Sequence, residues 1–220
     1  MAVVELKNIT KTYRMGKVDV PALSGLNLVI EKGEFLILKG QSGSGKSTTL
    51  NIIGCMDIPT AGMVSIAGQS TDQLNDVELS YLRRNHIGFI FQSFNLIPVL
   101  NALENVEYPL KLKKTENSRE KAREALVQVG LEKFIKHRPN ELSGGQIQRV
   151  AIARGIVAKP DILLADEPTA NLDSKTSDQI MDLMLDLNQN QKLTFIVSTH
   201  HTAVMEQASR IVELQDGHII

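Results

Sequence analysis

Short apolar runs rich in β-branched residues alternate along this chain with stretches of helical periodicity. Four runs read as buried strands: Phe35–Lys39, Ile87–Phe91, Ile162–Ala165 and Thr194–Ser198. Each is short, apolar at consecutive positions and followed at once by polar or glycine-bearing sequence, as expected of strands covered on both faces. Val3–Leu6 and Leu26–Ile30 read as strands of an N-terminal antiparallel layer, and Gly33 marks the turn that follows them. Helices are expected from Lys46, from Ser118 to Val129 (Ser118 as N-cap, Gly130 at the stop) and from Ser174, where Ile180, Met184 and Leu187 share a face. The alternation predicts an α/β fold with a mostly parallel sheet and an N-terminal antiparallel β layer. From about 94 to 141 helix signals displace the strands. That stretch is read as a helical subdomain inserted into a core of about 1–93 and 142–220, within one domain spanning 1–220.

The 220 residues suffice for such a domain and its core. A net charge of −1, 4% aromatic residues and no Trp argue against a nucleic-acid partner. The basic clusters Arg83–Arg84 and Lys111–Lys113–Lys114 read as solvated faces. The single cysteine, Cys55, excludes an internal disulfide and reads as a buried, inert thiol in a reducing compartment. No stretch approaches the ~18 consecutive apolar residues of a membrane span, so direct membrane insertion is not expected.

The chemistry concentrates after the strands. Gly40-Gln41-Ser42-Gly43-Ser44-Gly45-Lys46-Ser47 fits the phosphate-loop pattern between a strand and a helix. Its glycines let the backbone aim N–H groups at phosphate oxygens, and the following helix presents its positive end to the same anion. Lys46 would reach the β- and γ-phosphates and Ser47 would ligate Mg²⁺. Alone, the loop does not choose among kinases, GTPases and ATPases. The strand Ile162–Ala165 runs into Asp166 and Glu167, suited respectively to holding Mg²⁺ and to accepting a proton from attacking water. Leu142-Ser143-Gly144-Gly145-Gln146 opens a helix and forms a second anion site. Two such sites on one subunit make sense if a second copy caps the γ-phosphate held by the first.

Gly40–Ser47, Gln92, Leu142–Gln146, Leu163–Glu167, Ala170-Asn171-Leu172-Asp173 and His200 stand in the order and spacing of the ABC ATPases, and the resemblance covers essentially the whole chain. It implies a P-loop NTPase core that binds ATP and Mg²⁺. The implied nucleotide contacts are Tyr13 (stacking on adenine), Gly40, Ser42, Gly43, Ser44, Gly45, Lys46, Ser47 and Thr48, with Ser143, Gly144, Gly145, Gln146 and Asp173 acting across a homodimer. Glu167, His200, Gln92 and Lys46 are the implied catalytic residues, and Ser47, Gln92 and Asp166 the metal ligands. One departure stands out: His201 follows His200 where the family usually has Asp.

Finer resemblance, in Asn51–Asp57 with Pro59, Thr60 and Gly62, in Ile87–Gln92 and in Arg138–Leu142, is to the lipoprotein-release and macrolide-export branch. It implies a peripheral subunit on the cytoplasmic side of the inner (plasma) membrane that powers export or extraction of a lipoprotein, drug, peptide or haem through a separate integral membrane subunit. The apolar segment Phe94–Leu100 reads either as core of the helical subdomain or as a docking groove; the resemblance implies the groove, for that subunit. The other reading of the branch is an ATP-driven regulator that transmits motion to an extracytoplasmic partner and moves no cargo. The short spacing from Lys46 to Ser143 argues against the coiled-coil or zinc-insert ATPases of DNA repair. The single cassette argues against a translation factor.

Overall fold

The computed structural model describes residues 1–200 and 205–220; His201 lies outside the described residues. Two sheets face each other. The first is antiparallel, in the order β2-β1-β4-β5, from β1 (Ala2–Met15), β2 (Val18–Glu31), β4 (Ala61–Ile66) and β5 (Gln69–Ser70). Only the inner ends of its long hairpin were readable as strands. The outer half, around Lys11, Tyr13 and Asp19, is polar or exposed and carries no clean alternation.

The second sheet has the order β10-β9-β3-β8-β7-β6. Its strands β3 (Phe35–Lys39), β6 (Ile87–Ile90), β7 (Ile162–Asp166), β8 (Thr194–Ser198) and β9 (Arg210–Gln215) run parallel, and β10 (His218–Ile219) turns back antiparallel. Alternate side chains of these strands enter two cores. Phe35, Ile37, Leu163, Phe195 and Val197 pack with the helices on one face, and Leu36, Leu38, Leu164 and Ile196 pack with the antiparallel layer on the other. That two-sided burial is why the strands read as unbroken apolar runs.

Six helices of eight or more residues complete the described architecture: α1 (Lys46–Ile53), α2 (Asp76–His86), α3 (Ala102–Leu112), α4 (Ser118–Gln128), α5 (Gly144–Ile156) and α6 (Ser174–Gln191). Within 94–141 lie α3, α4 and two single 3₁₀ turns. Helix α2 was not anticipated, although Asn75 and Glu78 form a reciprocal cap at its start. The N-cap of α4 is Asn117, in a left-handed conformation, and not Ser118. The Ser118 hydroxyl instead donates to Glu107 at 2.9 Å, an ionised partner that outcompetes a cap. The basic clusters are also more than solvated faces. Arg83 donates to the Cys55 carbonyl at 2.6 Å, and Lys113 to the Ala158 carbonyl at 3.1 Å, each bracing separate elements. Among the described residues no helix is long and apolar enough to cross a membrane.

Candidate active site

Strand β3 ends on Lys39 and the chain turns through 40–45 into α1. A side chain at Gly40 would place Cβ 2.3 Å from the Leu214 carbonyl oxygen and 2.5 Å from Ser44 Oγ. One at Gly45 (φ 106°) would meet the Ala22 carbonyl oxygen at 2.8 Å. Only glycine lets the loop close this tightly. Gly45 is also the N-cap of α1 and offers no side-chain cap, and the first turn holds no acidic residue. The positive helix end is therefore unopposed, as an anion site requires. Lys46 is nearly buried and lays its ammonium back along the loop, donating to the carbonyls of Gly40 (2.7 Å) and Gln41 (3.0 Å). Ser44 Oγ is buried with no hydrogen-bond partner.

Beside the loop opens a cleft of about 430 Å³. Ser42, Gly43, Gly45, Lys46, Ser47 and Thr48 line one wall; Gln92, Asp166, Glu167 and His200 line another; Val20–Ala22 of β2 close the rim. A larger cavity of about 510 Å³, between α3, α4 and the turn at 132–137, contains none of these residues.

The carboxylates reach the cleft in different ways. Asp166 ends β7, and its Oδ1 accepts from the Ser198 hydroxyl at 2.5 Å. Glu167 leaves the strand in a left-handed conformation, φ 45°, and its amide donates to the Ser198 carbonyl at 3.0 Å. Its Oε1 stands 3.2 Å from His200 Nε2. Burial pushes the Glu167 carboxyl above the ordinary range, with Asp166 adding to this and the charges of His200 and Lys46 opposing it. Gln92 follows β6 by two residues, and its carbonyl accepts from Asn171 Nδ2 at 2.9 Å.

Other expected site residues lie outside the cleft lining. Ser143 is the N-cap of α5, in a reciprocal box with Gln146. Gly144 and Gly145 form the first turn of that helix. Asp173 caps α6, accepting from the Thr176 amide (3.0 Å) and hydroxyl (2.6 Å). Tyr13 donates its hydroxyl to Asp57 at 2.7 Å, while Lys11 bonds the same carboxylate at 2.6 Å and lies 4.9 Å over the Tyr13 ring. Asp57, Lys11 and Ser198 escaped the sequence reading. Only Ser198 had a signal, its place at a strand end two residues before His200.

The family model described as "ABC transporter" matches residues 23–170. The chain belongs to the ABC transporter family. It is an ATP-binding cassette of the ATPase kind, with the expected fold. It is 52% identical to the uncharacterized ABC transporter ATP-binding protein MJ0796 of Methanocaldococcus jannaschii, over 98% of this chain and 94% of that protein. A solved dimeric structure of that cassette, bound to ADP and Pi, superposes with a TM-score of 0.90 at 52% identity, covering 98% of this chain and 96% of the other. The macrolide export ATP-binding/permease protein MacB of Syntrophobacter fumaroxidans is 45% identical over the whole of this chain, which spans 31% of that protein's length. The cassette's likeness to the macrolide-export branch is thus direct.

Proposed function

We propose that this cassette powers an exporter or extractor from the cytoplasmic face of the plasma (inner) membrane, through a separate integral membrane subunit, and that it works as a homodimer closed on ATP and Mg²⁺. One observation carries the reading. A single cleft collects Lys46, Ser47, Gln92, Asp166, Glu167 and His200, while Ser143–Gly145, a second helix start suited to an anion, sits outside it. A second copy would supply the missing wall. The dimeric form of the Methanocaldococcus jannaschii cassette supports this.

Within the closed pair, Lys46 exchanges its loop carbonyls for β- and γ-phosphate oxygens, and the loop amides and α1 hold the rest of the chain of phosphates. Tyr13, its hydroxyl anchored on Asp57, stacks on adenine beside Thr48. Ser47, Gln92 and Asp166 offer oxygen donors on the cleft wall, the kind Mg²⁺ takes; they would hold the ion, which would supply neutralisation of phosphate charge. Glu167 orients water and takes its proton. His200 holds Glu167 and faces the γ-phosphate. Asp173 links the two sites across the dimer.

The segment Phe94–Leu100 is the docking surface for the membrane subunit. Asn105, fully buried, bonds the backbone of Ile97 and Leu100 and so shapes it, and Val99 stands exposed at its tip. Polar substitution at Val99 is expected to abolish co-purification with the membrane subunit and leave the isolated ATPase intact.

The dimer is tested with Glu167→Gln. With Mg²⁺ and ATP this variant should run as a dimer in size-exclusion chromatography, and with ADP as a monomer. A monomer under both conditions removes the shared site.

A further inference from the structure

Two residues beyond Gln92, the chain passes through Phe94 and Asn95, consecutive non-glycine residues with φ of 60° and 49°. Left-handed backbone costs about 1–2 kcal/mol per residue, and such a pair persists only where its surroundings hold it. Arg154 does the holding. Its Nη2 donates to the Phe94 carbonyl at 2.8 Å and its Nη1 to the Asn95 carbonyl at 2.5 Å. Arg154 sits in the last turn of α5, whose first turn carries Gly144 and Gly145. Asn171, on the loop that leads to Asp173, donates to the Gln92 carbonyl at 2.9 Å. The stretch bearing Gln92 is therefore fastened at both ends, once to α5 and once to the loop that precedes α6. The planar guanidinium fork spans two successive carbonyls; a lysine ammonium is a point donor without that fork.

We propose that Arg154 is a positioning residue for ATP hydrolysis: by gripping the Phe94 and Asn95 carbonyls it sets the reach of Gln92 into the cleft and ties that reach to the position of α5. The proposal rests on the reading of Gln92 as part of the hydrolytic site.

The test compares Arg154→Met, Arg154→Lys, Gln92→Ala and the double variant Arg154→Met/Gln92→Ala in the full chain with Mg²⁺ and ATP. A misplacement of about 1 Å can cost up to ~10²-fold in rate, so Arg154→Met should lower kcat roughly tenfold or more while KM for ATP stays within about twofold. Arg154→Lys should fall between. The double variant should be no slower than Gln92→Ala, because both changes disable one group. Amide exchange over 92–97 should quicken in Arg154→Met and stay unchanged over β3. Should Arg154→Met not fold, Arg154→Lys carries the test alone, and adding Asn95→Gly, which removes one left-handed penalty, should restore part of its lost kcat. Normal kcat in both Arg154 variants beside a slow Gln92→Ala overturns this proposal alone. Multiplying losses in the double variant also overturn it. Normal kcat in Gln92→Ala overturns the reading of Gln92 and this proposal with it.

Discussion

His200 Nε2 stands 3.2 Å from Glu167 Oε1, joining residues that follow two neighbouring parallel strands, β8 and β7. The contact depends on the left-handed turn at Glu167, which bends the second carboxylate away from Asp166 and toward the histidine. Two adjacent acids thereby gain different surroundings: Asp166 is held by a serine hydroxyl, and Glu167 faces an imidazole with its own pKa raised by burial.

Glu167→Gln keeps the shape and removes the group we propose as the base. Steady hydrolysis should fall by about 10²-fold or more, the usual scale for a general base, with ATP affinity retained. The wild-type rate should decline on acidification through a pKa above the ordinary glutamate value of ~4.3. The sign for stability is opposite to that of a paired acid. A raised folded-state pKa penalises folding at neutral pH, and the penalty disappears as pH falls below the unfolded value. Glu167→Gln should therefore melt higher than wild type near pH 7, with the gain closing near pH ~4. Melting curves at the two pH values check this.

The central strands were legible because burial on both faces writes them as unbroken apolar runs, and the phosphate loop because its geometry admits so few residue types. The outer hairpin was not, since Thr12, Arg14 and Asp19 sit on exposed backbone with no core to impose a pattern. Helix α2 buries only Leu79 and Leu82, too little for a periodic stripe. Long-range partners leave no local trace at all. Arg154 is 59 positions from Asn95, and Asp57 is 44 from Tyr13. The common cleft of Gln92, Asp166, Glu167 and His200 could be inferred only from family spacing, because β6, β7 and β8 are brought side by side by the sheet order.

Asp57 offers a stability effect of the ordinary sign. Burial pushes its carboxyl up, but hydrogen bonds from Lys11, Tyr13 and the Ile58 amide, with the Lys11 charge, outweigh that and leave it below the usual range. Its contribution is present above the ordinary aspartate value of ~3.9 and is lost as pH falls through the folded value. Asp57→Asn should melt below wild type at pH 7, and the gap should close as pH falls below the ordinary aspartate value and through the lower folded one. If Tyr13 stacks on adenine as proposed, Asp57→Ala should also weaken ATP binding by freeing its ring, and should add nothing in a Tyr13→Phe background, where the tether is already gone.

Cys55 is 6% exposed, and burial, partly opposed by Arg83, pushes its thiol up to about 11. At pH 8 the thiolate is scarce and shielded. The native chain should react with an aromatic disulfide reagent far more slowly than the chain in denaturant, which should release one equivalent at once. Rapid native labelling would mean that the loop after α1 opens readily.

Gly145 serves two demands that can be separated. In α5 its amide belongs to the first turn, free of an intrahelical acceptor and suited to a phosphate from the partner copy. Within its own chain, a Cβ there would lie 2.5 Å from Thr176 Cγ2. Asp173 fixes that methyl by accepting from the Thr176 hydroxyl at 2.6 Å, so the threonine cannot rotate away without losing that hydrogen bond. Gly145→Ala should therefore destabilise the fold by about 1–3 kcal/mol, as overpacking does, and lower ATPase as well. Adding Thr176→Ser removes the methyl and keeps the hydroxyl for Asp173. The double variant should regain most of the lost stability in denaturant unfolding. If its ATPase stays low, the glycine is needed for close approach to the nucleotide; full recovery of ATPase would mean that Gly145 matters only for packing against Thr176.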